Sequence, residues 1–223
     1  MIDTKTLDEL REIAGRYPQA RSGLLPMLHL LQSVQGHVSS EGIAACADIL
    51  ELTTAEVTGV ATFYTMYHSE PQGQHHIGVC INPGCAILGG DAVYAAVSER
   101  LGIDHDEVTA DGKFSLERIE CQAACTHAPA MTVNWEFMDL VTPESAVSTI
   151  DKLANGETVE STRGPVVGTW RDTARVLAGF DDGKTDEGVA ADELMLAGLK
   201  RAKELGMTAP NMTNGASHAE AGQ

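Results

Sequence analysis

Apolar residues recur at three- and four-residue spacing through the first third of the chain, the period of a helix with one buried face. Leu7, Leu10 and Ile13 define a first helix that stops before Pro18. Leu24, Leu28, Leu31 and Val34 define a second. Pro26 falls in its first turn, where a missing N–H costs nothing, and Gly36 ends it. Ile43, Ala47 and Leu50 predict a third helix. Thr53 and Glu56 have the spacing of a capping box and open a fourth, over "AEVTGVATFYTMY". Residues 1–70 therefore read as a small helical bundle.

Near Pro71 the period changes. "HIGVCI" is a short strand, and "GGDAVYAAVSERLG" is a helix with Val93, Ala96, Val97 and Leu101 inward. "FSLERIEC" alternates apolar and polar residues, as a half-buried strand does. "AMTVNWEFMDLV" predicts two strands joined by a tight turn near Asn134–Trp135. "TPESAVSTIDKLANG" predicts a capped helix, with Thr142 as cap, Pro143 at its first position and Val147, Ile150 and Leu153 on one face. The order β-α-β-β-β-α over residues 71–156 is that of a thioredoxin-like sheet, so the expected class is α+β: a helical bundle followed by an α/β domain. After Gly156 the pattern loosens into an extension, 157–223. "GETVESTRGPVVGTW" reads as a connector, "ADELMLAGLKRAKELG" as a late helix with acids early and bases late, and residues 207–223 as disordered.

Charge narrows the partners. The formal net charge is −17, and no basic stripe exists to displace counterions from phosphates, so nucleic acid is not expected. Direct binding to anionic lipid is not expected either. "GLLPMLHLLQSVQG" is the most apolar run, and it falls short of the roughly 18–20 residues that a membrane span needs. The N-terminus has neither a secretory signal pattern nor an obvious presequence pattern. A reducing cytosol is the expected compartment, where paired cysteines serve more often as metal ligands or redox groups than as structural disulfides.

Two cysteine pairs stand out. Cys80 and Cys85 form C-x4-C around an Asn-Pro-Gly turn, between the first strand and its helix. Cys121 and Cys125 form C-x3-C just after the second strand. Four thiolates at the ends of one sheet can hold Zn²⁺ or a [2Fe–2S] cluster. Structural zinc favours tight C-x2-C knuckles, whereas wider loops suit a two-iron cluster in which each pair reaches its own iron. Spacing thus favours iron–sulfur and leaves zinc, and more distantly a disulfide, open. Gly84, Gly89 and Gly90 would let backbone N–H groups approach cluster sulfurs.

Other candidates carry less. Cys46 lies among alanines in a predicted helix and reads as buried and inert. His127 follows Cys125 by two positions, but a Rieske centre needs two histidines within the ligand pairs. His75 and His76 read as a solvated lead-in to a strand. "GFDDGKT" is one residue short of a phosphate-binding loop, and its two aspartates would repel phosphate, so it reads as a turn. No G-x-G-x-x-G occurs.

The two cysteine pairs on this layout resemble the thioredoxin-like [2Fe–2S] ferredoxins. "GVATFYTMY" before the first pair, "APAMTVN" after the second and "RYPQARSGLLPMLHLLQSVQGHVS" near the N-terminus resemble, more narrowly, the small [2Fe–2S] subunits of the NADH-dehydrogenase module of respiratory complex I. The resemblance spans roughly residues 10–155. It implies that Cys80, Cys85, Cys121 and Cys125 ligate the cluster. It also implies that the N-terminal helices dock on a larger subunit carrying FMN and NADH, beside further subunits of the peripheral arm. The host complex would sit at the cytoplasmic face of a bacterial inner membrane, with no insertion by this chain and no complete active site on it. "CQAAC" departs from the "CLGAC"-like form that the resemblance leads one to expect, and lacks its glycine. The equivalent subunit of an NAD-linked hydrogenase or formate dehydrogenase is the alternative host; a zinc-stabilised interaction module is the alternative of another class.

Overall fold

Four helices fill the first third of the chain: α1 (Thr4–Gly15), α2 (Leu24–Gln35), α3 (Ser40–Leu50) and α4 (Thr54–Ala61). The computed structural model describes residues 2–184, 188 and 191–208. Side-chain caps start three of these helices. Asp3 accepts from the Thr6 N–H, Ser39 accepts from the Gly42 N–H, and Thr53 and Glu56 form the expected reciprocal box. Leu10, Ile13, Met27, Leu28, Leu31, Cys46 and Val57 meet in one aliphatic core. The fourth helix is shorter than its sequence pattern: it ends at Ala61, and Phe63 beyond it is 77% exposed.

The rest is built on a mixed sheet. In chain order its elements are β1 (His75–Cys80), α5 (Pro83–Ile87), α6 (Gly90–Leu101), β2 (Glu107–Val108), β3 (Phe114–Ile119), β4 (Met131–Val133), β5 (Glu136–Met138), α7 (Pro143–Ala154) and α8 (Trp170–Leu177). The strand order is β2-β3-β1-β4-β5. β1 and β3 run parallel, with Cys80 opposite Ile119; the other pairs are antiparallel. Alternation sends Ile77, Val79, Leu116, Met131 and Val133 into a core with Val93, Val97 and Ile150 of α6 and α7. It sends His76, Cys80, Glu117 and Thr132 to the opposite face. Asn134 and Trp135, at φ 52° and 70°, make the tight two-residue turn expected between β4 and β5. The edge strand β2 has only two residues, too few to show a period.

The segment after Gly156 is bound more closely than a bare connector. The Thr162 N–H donates to the Phe137 carbonyl, and the Trp170 N–H donates to the Gln74 carbonyl. Arg163 grips the Asp139 carboxylate through Nε and a terminal nitrogen at 2.9 and 3.0 Å and lies over the Phe137 ring. α8 is capped by Thr169 and Asp172 and packs along α2, burying Trp170, Ala174 and Ala178. Arg171 donates to the Val34 carbonyl in the last turn of α2, and Arg175 grips Glu9 of α1 with two bonds of 2.8 and 3.1 Å. Residues 1–188 form one compact unit.

A second unit begins at Val189. Its described part holds α9 (Glu193–Glu204), capped by Asp192, with Arg201 and Lys203 in the last turn as the sequence suggests. Disorder was expected over 207–223; from residue 209 that expectation lies outside the described residues. Among the described residues, no helix is long and apolar enough to cross a membrane.

Candidate metal centre

Parallel pairing of β1 and β3 brings both cysteine loops out at the same end of the sheet. Cys80 is the last residue of β1 and Cys85 lies in the short helix α5; both are buried. Cys121 lies two residues past the end of β3, and Cys125 opens a short 3₁₀ turn; both are exposed. The Cys121 and Cys125 sulfurs are 3.7 Å apart. The pairs also influence each other. Burial pushes the Cys85 thiol up to about 11, against a backbone hydrogen bond from Ala130, with Cys80 and Cys125 adding to the rise. Cys125 is raised first by its hydrogen bond with Cys121 and further by that thiol's charge, by burial and by Cys80.

Local sequence explains the geometry. Pro83 starts α5 and turns the chain sharply after β1. Gly90, the first residue of α6, packs under the loop. A Cβ there would lie 2.7 Å from the Cys80 carbonyl and 2.9 Å from that of Cys85, so a side chain would push the two cysteines apart. Asn82 donates to Glu120 at 3.1 Å and ties the two loops together. Ile119, Ala124, Ala128 and Ala130 pack around the buried pair, with Phe137 against them. Arg163 lies over the Phe137 ring, so the segment after α7 supports the site.

Ala123 in "CQAAC" has φ 57°. The backbone keeps a conformation that glycine adopts freely, at a residue for which it costs about 1–2 kcal/mol. The alanine at the position of the expected glycine thus carries local strain.

The remaining candidates sort themselves. Cys46 is fully buried in α3, far up its scale at about 12 through burial alone. His127 is buried and meets the Thr126 hydroxyl at 2.9 Å. "GFDDGK", as far as Lys184, has no regular structure beyond the turn at Gly179, and Gly179 and Gly183 are at positive φ, as a turn requires; Thr185 lies outside the described residues. One expectation fails: His75 and His76 are not solvated, being 8% and 1% exposed. Trp135 and Trp170 flank His76 at 5.2 and 5.0 Å between ring centres and exclude water. The tryptophans come from sequence-distant segments, so a local reading of the strand could not see them.

Residues 10–154 match the family model described as thioredoxin-like [2Fe-2S] ferredoxin. The chain belongs to that family. Four soft thiols meeting in two pairs fit its two-iron cluster: Cys85 is raised first by burial and then by neighbouring thiols, Cys125 first by Cys121, and a cationic iron core is what would favour all four as thiolates. Over 203 residues the chain is 47% identical to an NADH-quinone oxidoreductase subunit of Mycobacterium tuberculosis, covering 91% of this chain and 81% of that one. It is 34% identical to an NADH-quinone oxidoreductase subunit of Thermus thermophilus over 156 residues, 69% of this chain and 86% of that one. An NAD⁺-reducing [NiFe]-hydrogenase structure matches with TM-score 0.53 at 20% identity, over 60% of this chain and 22% of that one, and shares the fold.

Asn82–Glu120, the Ala130 N–H and Arg163 had no signal in the cysteine spacing. Only the Asn-Pro-Gly run hinted at a turn there.

Proposed function

We propose that this chain is the electron-transfer subunit of an NADH:quinone oxidoreductase, with Cys80, Cys85, Cys121 and Cys125 holding one [2Fe–2S] cluster. The meeting of the two thiol pairs at one end of the sheet carries this reading, and the names of relatives at 34–47% identity choose the host complex over a hydrogenase or formate dehydrogenase. When bound, the cluster supplies one-electron transfer. The chain's part is to hold it. Cys80 and Cys85 sit on the buried side, where water has little access, and Cys121 and Cys125 sit on the exposed side, where a partner can approach. No side chain is needed for acid–base chemistry.

In this reading the electron comes from FMN on a partner subunit that binds NADH. The N-terminal helices and the rim of the thiol site form the docking surface. Phe63, Ile87 and Leu88 are 77%, 83% and 60% exposed, which is apolar area for a partner to cover. The assembly would lie at the cytoplasmic face of the membrane.

The test is co-expression with the flavin subunit of the same host. The two should co-purify, and dithionite should develop a [2Fe–2S] EPR signal that is lost when any of the four cysteines is replaced by serine. Co-purification with hydrogenase or formate-dehydrogenase subunits instead would change the host, and a zinc-only, EPR-silent protein would end the redox reading.

A further inference from the structure

At the other end of β1 from Cys80, about 13 Å away along the strand, three potential ligands converge. One ring nitrogen of His68, one of His76 and a carboxylate oxygen of Glu117 lie within 4.8 Å of one another. We propose that His68, His76 and Glu117 form a second metal site, for a divalent transition cation of the zinc type, separate from the four thiols.

Unsatisfied polar atoms point to a ligand here. His76 is 1% exposed and its Nδ1 has no hydrogen-bond partner; neither has the buried Nε2 of His68. Glu117 Oε2 is 2.9 Å from His76 Nε2, yet it too lacks an aligned hydrogen bond. Buried polar atoms are rarely left unpaired, because each costs its full desolvation. Two imidazoles and one carboxylate form the donor set of many three-ligand zinc sites, which leave a fourth position for water.

The donor set suits a dication: two imidazoles and, in Glu117, one carboxylate.

The backbone pre-positions the rings. Gln32, fully buried in α2, accepts from the His68 N–H at 2.7 Å and donates to the Met66 carbonyl at 3.0 Å. Asn134 accepts from the His76 N–H at 2.7 Å. Trp135 and Trp170 hold the plane of His76, which leaves its nitrogen edges to the ligand. A tetrahedral zinc site needs donors about 3.3 Å apart. The half-buried ring of His68, on the irregular segment between α4 and β1, must therefore close in on binding. The cation would then clip that segment, which links the helices to the sheet, onto β1 and β3.

The experiment uses the full chain with its [2Fe–2S] cluster in place, so that the thiols do not compete. Zn²⁺ is titrated by calorimetry, and thermal unfolding is followed with Zn²⁺ and with a chelator. One equivalent should bind at micromolar concentration or below, and Zn²⁺ should raise the melting temperature. Fluorescence should change too, since the chain's two tryptophans both flank His76. His68→Gln and Glu117→Gln should each weaken binding at least tenfold, with the visible spectrum of the cluster unchanged. Both sit nearer the surface than His76, so a folding defect is less of a risk. Binding only at millimolar Zn²⁺, or equal affinity in both variants, overturns the proposal.

Discussion

The Asn82 amide donates to the Glu120 carboxylate at 3.1 Å, and this bond joins the loop of Cys80 and Cys85 to that of Cys121 and Cys125. A hydrogen bond to a charged acceptor near the surface contributes about 1 kcal/mol. Glu120→Ala should leave the fold intact and speed iron loss to a chelator by about fivefold. An unchanged rate would mean that the thiols alone fix the spacing of the loops.

Ala123→Gly should stabilise the protein. Relief of the positive φ gains about 1–2 kcal/mol, and the freer unfolded chain takes back about 0.4–1 kcal/mol. A net gain of about 0.5–1 kcal/mol is expected in urea unfolding. A loss would show that the alanine methyl makes packing contacts worth more than the strain.

Thiol reactivity should separate into classes in the metal-free chain. Cys121 and Cys125 are exposed and should alkylate first, Cys80 and Cys85 slowly, and Cys46 only on unfolding. Mass spectrometry after a timed pulse reads the order. Cys46→Ala should keep the EPR signal of the cluster; its loss would place Cys46 in the site.

Acid should weaken the fold in two stages. Burial holds His29 down to about 4 in the folded chain. A lowered folded pKa gives stability that is whole above the unfolded value, about 6.5, and is lost as pH falls toward 4. Glu9 is lowered by the Arg175 hydrogen bond; Asp139 is raised by burial but lowered more by Arg163 and Thr162. Their contribution is lost further down, as pH falls through their folded values. Urea midpoints should therefore decline below about pH 6.5, and His29→Gln should make the first stage shallower, the remainder belonging to the other buried histidines, His68 and His75. A midpoint steady from pH 7 to 5 would contradict this.

With four thiolates and no histidine the cluster should titrate at about −400 mV, the plant-type range. NADH should reduce it incompletely and dithionite fully. An EPR-monitored midpoint above about −150 mV would exclude the ligand set.

Much of this architecture was legible because it repeats locally. Leu10 and Ile13 announce α1, Thr53 and Glu56 announce the start of α4, and the Asn134–Trp135 turn shows between two apolar runs. The cysteine pairs were visible as spacing, and their convergence follows once β1 and β3 are parallel neighbours. What escaped depends on distant partners. The place of α8 is set by Trp170 on the far side of the sheet and by Arg175 reaching Glu9. The burial of His76 is decided by the same two tryptophans. Ala123 looked like a lost glycine, and only its φ shows that the backbone there is left-handed.

The parallel pairing of β1 and β3 also fixes a sequence of events in time. Strands side by side in the same sense cannot be joined by a hairpin; α6 and β2 must cross over between them. Cys85 and Cys121 are therefore far apart along a growing chain and meet only after that crossover has closed. A four-thiol pocket thus depends on the assembled sheet. A maturation factor delivering iron and sulfide would meet a preformed receptacle, open on the Cys121–Cys125 side.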